Sequence, residues 1–122
     1  MTPFNKTKIL VVEDEIIVAR DIRNMLIGLG YVVVGVTPSA TESIKLAKTK
    51  NPHIVLMDIM LQGKTNGLGA ADQIFNQLNI PIVYLTAYAD ETTLQQAKKA
   101  EPFGYLLKPF EERELQLSLI HI

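Results

Sequence analysis

Short apolar runs alternate with longer amphipathic segments along the whole chain. Four of the runs lead directly into polar side chains: residues 9–12 into Glu13 and Asp14, residues 54–57 into Asp58, residues 82–85 into Thr86, and residues 105–107 into Lys108. Apolar runs of this length, separated by helix-period segments, are typical of parallel strands that are buried on both faces. The chain is therefore predicted to form an α/β domain with a parallel sheet.

The alternation predicts five strands and five helices in turn. The predicted strands cover residues 8–13, 31–36, 54–58, 81–86 and 102–107, and the predicted helices cover residues 15–29, 39–50, 67–78, 90–100 and 110–122. Gly30 is expected to end the first helix, and Ser39 with Glu42 forms a capping box for the second.

Two features of the pattern bear on the arrangement of the sheet and on the extent of the chain. Gly35 would weaken a central strand, so strand two is predicted to lie at an edge. Right-handed crossovers then place helices on both faces of the sheet. Leu115, Leu119 and Ile122 keep helical spacing to the last residue, so we expect residues 1–122 to be a single domain of a longer chain.

Composition and charge narrow the class of protein. With 122 residues, 48% of them hydrophobic, the chain is large enough for one domain with a substantial core. Its formal net charge of −1 gives no basis for binding nucleic acid or an anionic membrane, and no apolar stretch is long enough to span a bilayer. The absence of cysteine excludes disulfides and thiolate metal sites, and it fits a reducing, cytoplasmic compartment.

The polar residues at the strand ends form the candidate site. In an open parallel sheet the carboxyl ends of the strands share one edge, where ligands bind. Glu13, Asp14, Asp58, Thr86 and Lys108 are therefore expected to lie together. Three carboxylates would repel one another there, and a sequence that tolerates this crowding usually does so for a hard cation such as Mg²⁺. Lys108 would supply a counter-charge and could hold a phosphoryl oxygen.

Each of these residues also has a simpler interpretation when it is taken alone. An acidic pair before a helix usually caps that helix, a lysine in a loop is usually solvated, and a threonine at a strand end usually satisfies its own hydrogen bonds. The expected convergence of all five residues at one edge favours a divalent cation and a phosphoryl group.

Four segments of the chain together resemble receiver domains of the two-component response-regulator family. They are residues 11–15, 55–59, 81–87 and 104–110, with the sequences VVEDE, VLMDI, PIVYLTA and GYLLKPF. The resemblance covers nearly the whole chain. It implies a flavodoxin-like, doubly wound, five-stranded parallel sheet with strand order 2-1-3-4-5 and helices on both faces.

The resemblance also implies a role for each site residue. Asp58 would accept a phosphoryl group. Mg²⁺, with Mn²⁺ as an alternative, would be held by Glu13 (through water), Asp14, Asp58 and the backbone carbonyl of Met60. The remaining positions are the phosphoryl-binding Thr86, Ala87 and Lys108, the switch residues Thr86 and Tyr105, and Pro109 after a cis peptide bond.

As a receiver, the chain would take its phosphoryl group from a histidine kinase or a phosphotransfer protein. It would catalyse its own phosphorylation and dephosphorylation rather than turn over a separate substrate. The switched surface would be formed by the fourth predicted helix, strand five and the last helix, and it would serve an output domain, a partner protein or a homodimer. Residues 87–91 and 101–105 also resemble receivers attached to PAS-type sensory modules and histidine kinases, so the parent chain could contain a kinase.

Two side chains predict a long-lived phosphoryl group. Met60 stands two residues after the acceptor and Tyr88 two residues after Thr86, at positions that commonly control the hydrolytic water. Methionine cannot orient water through a strong hydrogen bond, and the ring of Tyr88 could cover the approach. The simpler alternative is that both side chains only pack against the loop.

Three other functions stay open at this point. A flavodoxin-like cofactor binder would need a phosphate cradle after strand one, where the acidic residues 13–15 carry the wrong charge. A magnesium-dependent phosphatase with an aspartate nucleophile usually needs a second acid where Met60 stands. A receiver that works only as a protein-interaction surface is disfavoured by the complete residue set, and an assay has to decide.

Overall fold

The computed structural model describes residues 6–62, 66–87 and 104–120 of the chain. Strands and helices alternate through these residues, as the hydrophobic pattern predicts. The strands are β1 (Lys8–Val12), β2 (Val32–Thr37), β3 (Ile54–Asp58), β4 (Ile82–Thr86) and β5 (Tyr105–Leu107), and the helices are α1 (Ile16–Gly28), α2 (Ala40–Lys50), α3 (Asn66–Leu78) and α4 (Glu112–Ile120). The helix predicted over residues 90–100 lies outside the described residues, so α4 is the last helix.

All five strands are parallel and have the order β2-β1-β3-β4-β5. The predicted fold class, the edge position of β2 and the central position of β1, β3 and β4 are confirmed. The register between β1 and β2 shifts opposite Gly35, because Ile9 pairs with Val33 while Leu10 pairs with Gly35. A Cβ atom at Gly35 would lie 3.2 Å from the side chain of Leu10, so the glycine gives this irregular part of the strand the space it needs.

Two apolar layers of helix and sheet side chains cover the two faces of the sheet. One layer packs α2 and α3 on the sheet through Ala47, Ala70 and Ile74. The other packs α1 and α4 through Ile22, Leu26 and Leu115. Because β1, β3 and β4 are parallel neighbours, their carboxyl ends lie together at one edge of the sheet.

The helix caps and strand ends can be compared with those predicted from the sequence, and some of them differ. The Ser39 side chain accepts a hydrogen bond from the Glu42 N–H at 3.1 Å, which is one half of the predicted capping box, but the Ser39 N–H donates to Oγ1 of Thr37 rather than to Glu42. Gly30 has the positive φ of 96° expected after a helix. Strand β1 ends one residue earlier than predicted, and β5 begins at Tyr105, while residues 102 and 103 of the predicted strand lie outside the described residues. Gly104, with a φ of 147°, precedes β5 in a conformation that only glycine adopts readily. Within the described residues, no helix has the length and apolar character needed to span a bilayer.

Candidate functional site

Three carboxylates and one ammonium group meet at the carboxyl edge of the sheet. Glu13 and Asp14 directly follow β1, Asp58 is the last residue of β3, and Lys108 directly follows β5. One carboxylate oxygen from each acid lies within 4.8 Å of the others. The convergence predicted from the strand ends is therefore present, since the parallel register brings these positions together.

Lys108 bridges two of the acids. Its Nζ atom lies 2.5 Å from Oε1 of Glu13 and 2.8 Å from Oδ2 of Asp58. The carboxylate side chains are 0% and 5% exposed, so both ion pairs are shielded from water. The backbone N–H of Lys108 donates to the carbonyl oxygen of Thr86 at 2.7 Å. Lys108 is thus held at the edge by its main chain as well as by its side chain.

The loop after β3 donates backbone hydrogen bonds to two of the acids. The Met60 N–H donates to Oδ1 of Asp58 at 3.0 Å, and the Gln62 N–H donates to Oδ2 of Asp14 at 2.8 Å. Gln62 adopts a left-handed conformation with a φ of 56°. The sequence analysis did not predict the contribution of Gln62, because a main-chain donor does not depend on the type of side chain.

The pKa values of Glu13 and Lys108, which form the shortest ion pair of the site, are both raised. Burial raises the pKa of Glu13 to about 7 from 4.5, and the charge of Asp58 adds to this, although the hydrogen bonds from Lys108 and from the Glu15 N–H oppose it. For Lys108, burial alone would lower the pKa, but the hydrogen bonds to Asp58 and Glu13 outweigh it and the pKa is raised. The ammonium group of Lys108 therefore does not fully offset the cost of burying the Glu13 carboxylate.

The acidic pair does not cap α1 in the usual way. The N-cap residue is Glu15, whose side chain makes no capping hydrogen bond. Oε2 of Glu13 instead accepts the Glu15 N–H at 3.0 Å, while Oε1 of the same group faces Lys108. The simple interpretation of the pair as a helix cap does not account for Asp14, whose carboxylate is directed to the loop after β3.

The other predicted site residues surround this cluster. Thr86 is the last residue of β4 and is buried, and Ala87 follows it at the surface. The peptide bond between Lys108 and Pro109 is cis, in agreement with the resemblance. The side chains of Met60 and Tyr105 are exposed, whereas Tyr88 lies outside the described residues.

The donor set fits a hard divalent cation. All three acidic groups offer oxygen, the ligand atom that Mg²⁺ prefers, and neither sulfur nor imidazole is present among them. A bound cation would also favour the charged form of Glu13, whose pKa is raised chiefly by burial and further by the charge of Asp58. The chemistry that such an edge can support is the transfer of an anionic group to a carboxylate oxygen.

Comparison with known proteins agrees with this geometry. The sequence profile of the response regulator receiver domain matches residues 9–120. The chain is 34% identical over 106 residues to the phyllosphere-induced regulator PhyR of Methylorubrum extorquens, covering 86% of this chain and 39% of PhyR. It also resembles the receiver domain of a modulated diguanylate cyclase from Desulfovibrio desulfuricans, with 38% identity, a TM-score of 0.85, and coverage of 93% of this chain and 90% of that one.

A third similar structure holds a metal. The receiver domain of the sensor histidine kinase PA1611 from Pseudomonas aeruginosa has a magnesium ion in its active-site cleft; it is 32% identical, with a TM-score of 0.83 over 93% of this chain and 94% of that one. The sheet order, the acid cluster with its lysine and the profile match together define a receiver domain. The chain belongs to the response-regulator receiver family of two-component systems. It spans about half the length or less of the curated relatives it matches.

Proposed function

We propose that this chain is a phosphoacceptor module in which Asp58 receives a phosphoryl group in a Mg²⁺-dependent reaction. The observation that carries the proposal is the bridge from Lys108 to Asp58 and Glu13 at the edge that also holds Asp14. An acceptor carboxylate beside a fixed ammonium and further oxygen donors is the minimum that such a transfer needs.

The residues present would divide the chemistry as follows. A carboxylate oxygen of Asp58 attacks phosphorus, forming an oxygen–phosphorus bond as the bond between phosphorus and the donor's imidazole nitrogen breaks. Lys108 and Thr86 then hold phosphoryl oxygens, with the backbone of Ala87. Bound Mg²⁺ would neutralise part of the charge of the transferred group.

The magnesium would be held by oxygen atoms of the same edge. Asp14, Asp58 and the backbone carbonyl of Met60 would bind it directly, and Glu13 would act through water. The raised pKa of Glu13 fits this role, because a nearby cation would favour its charged form. Mn²⁺ would be an alternative, since it also accepts carboxylate and carbonyl ligands.

The donor would be a histidine kinase or a phosphotransfer protein in the cytoplasm, and the receiver would catalyse its own phosphorylation and dephosphorylation. The responding surface would comprise the fourth predicted helix, β5 and α4. In β5, Tyr105 and Leu107 are 38% and 44% exposed, so this part of the surface is open to an output domain, a partner protein or a second copy.

Intact-mass measurement tests the assignment of Asp58. The parent domain, incubated with Mg²⁺ and a small phosphodonor, should gain one phosphoryl group, and Asp58→Asn should gain none. Asp72→Asn, which removes an exposed carboxylate on α3, should behave as the parent does. Equal phosphorylation of Asp58→Asn would refute the assignment, and release of phosphate from phosphoesters over many turnovers would favour a phosphatase instead.

A further inference from the structure

The first turn of α3 packs directly on the backbone of the phosphoacceptor. A Cβ atom at Gly67 would lie 1.9 Å from the carbonyl oxygen of Asp58 and 2.9 Å from that of Ile59. The φ of Gly67 lies outside the left-handed region, so the position requires glycine for space rather than for an unusual conformation. The atoms that a side chain would meet belong to the main chain and cannot rotate away.

Main-chain hydrogen bonds hold the segment from Asp58 to Met60 on two sides. The Ile59 N–H donates to the carbonyl of Leu85 in β4 at 3.0 Å, and the Ile59 carbonyl accepts the Gly67 N–H at 3.2 Å. Within the segment, the Met60 N–H donates to Oδ1 of Asp58. A shift of this backbone would therefore also turn the acceptor carboxylate away from its donors.

We propose that Gly67 is a positioning residue for phosphoryl transfer: its missing side chain lets α3 fix the Asp58–Met60 backbone, and through it the direction of the acceptor carboxylate. The inference rests on the proposed role of Asp58. Real Cβ atoms stay about 3.0 Å or more from such neighbours, so a methyl group at this position would displace the segment by about 1 Å. Displacements of this size at a reacting centre slow chemistry by about 100-fold.

The chain offers two matched controls on the same helix. A Cβ atom at Gly69 would meet no atom within 4 Å, so Gly69→Ala adds the same methyl group to α3 without a collision. Ile74, further along α3, is fully buried between this helix and the sheet, and its truncation to Val or Ala lowers stability through lost packing without adding an atom near Asp58. Comparison with the Ile74 variants separates loss of stability from loss of position.

The test measures phosphorylation rate at saturating small phosphodonor and Mg²⁺, together with the NMR resonance of the Met60 amide. For Gly67→Ala we expect a rate about 100-fold below that of the parent and a displaced Met60 resonance. Gly69→Ala and an Ile74 variant of equal melting temperature should match the parent in both. A parent-like rate for Gly67→Ala, or a loss shared by the stability-matched Ile74 variant, would overturn the proposal.

Two further outcomes remain informative. If Gly67→Ala does not fold alone, it can be measured in trimethylamine N-oxide, which favours compact states; recovery of the parent rate on folding would refute a positioning role, and a persistent defect would support it. If the parent itself is not phosphorylated, the proposed function fails. The Met60 resonance of Gly67→Ala against the Ile74 variant then still decides whether Gly67 positions Asp58.

Discussion

Removal of the ammonium group of Lys108 should destabilise the metal-free domain strongly at high pH and weakly at low pH. The substitution Lys108→Met keeps most of the aliphatic side chain but deletes the charge that lies 2.5 Å from Glu13 and 2.8 Å from Asp58. Both carboxylates are buried, and Asp14 contributes a third oxygen within 4.8 Å. In the metal-free variant, the buried carboxylates therefore lack the ammonium group that pairs with them.

The structure also sets the expected size of the effect. Removing one partner of a buried ion pair costs about 3 to 5 kcal/mol, because the remaining charge is neither solvated nor paired. The lower end is expected here, since Glu13, whose pKa is already about 7, can take up a proton instead. We expect a loss of about 3 kcal/mol at about pH 8, which corresponds to a fall in Tm of roughly 10 °C. The loss should shrink toward about pH 5.5, where Glu13 is neutral in both proteins.

Urea unfolding in chelator, followed by far-ultraviolet circular dichroism, measures this difference at each pH. Lys48→Met, which deletes an exposed lysine on α2, is the matched control and should stay close to the parent at every pH. A Lys108→Met variant as stable as the parent at high pH, or a loss that does not change with pH, would show that the ion pairs do not hold the acid cluster in the folded state.

Four further outcomes follow from the same site. Between about pH 4.5 and 7 the folded protein binds more protons at Glu13 than the unfolded chain does, so metal-free stability should fall as pH rises, by at most about 3 kcal/mol. Glu13→Gln should lack this part of the pH dependence, and an unchanged slope in urea titrations would contradict the assignment. Asp58→Asn should melt higher than the parent in chelator at about pH 8, because it removes charge from a crowded site, whereas added Mg²⁺ should raise the melting temperature of the parent more than that of the variant; calorimetry that gives the opposite order would count against the crowding. Met60→Asn and Tyr88→Ala should each speed the loss of the phosphoryl group, and decay at the parent rate in both would remove these side chains from the control of water. Amide exchange with and without beryllofluoride should change in the fourth predicted helix, β5 and α4, including Tyr105, and changes confined to α1 and α2 would exclude this surface as the switch.

The positions of the acids and the lysine were predictable because they follow from topology. In a parallel sheet the carboxyl ends of all strands share an edge, so a polar residue just after an apolar run must lie there. Asp58 and Lys108 are far apart in sequence, yet their convergence requires only that β3 and β5 be parallel members of one sheet. The edge position of β2 was predictable for a similar reason, since Gly35 marks a strand that packs less well.

The parts that could not be predicted depend on the main chain or on exact geometry. Gln62 contributes through its N–H, which every residue but proline carries, so its identity gives no signal. Gly67 is one of seven glycines, and only the path of α3 over Asp58 distinguishes it from Gly69. The pairing of the Lys108 ammonium group with both Glu13 and Asp58 also depends on interatomic distances, which the spacing of residues along the sequence does not give.

The hydrogen bond between the last residue of β4 and the residue that follows β5 couples the two strand ends mechanically. The Lys108 N–H donates to the carbonyl of Thr86 at 2.7 Å, so the two positions proposed to hold the phosphoryl group are joined through their main chains. We expect a displacement of the Thr86 backbone to move Lys108 as well, as long as the hydrogen bond between them is kept. We expect such a displacement to be passed along β5 to Leu107 and Tyr105, whose side chains are partly exposed. A small displacement of Thr86 and Lys108 toward a bound phosphoryl group would in this way reach the exposed side chains of β5 without a change in the fold.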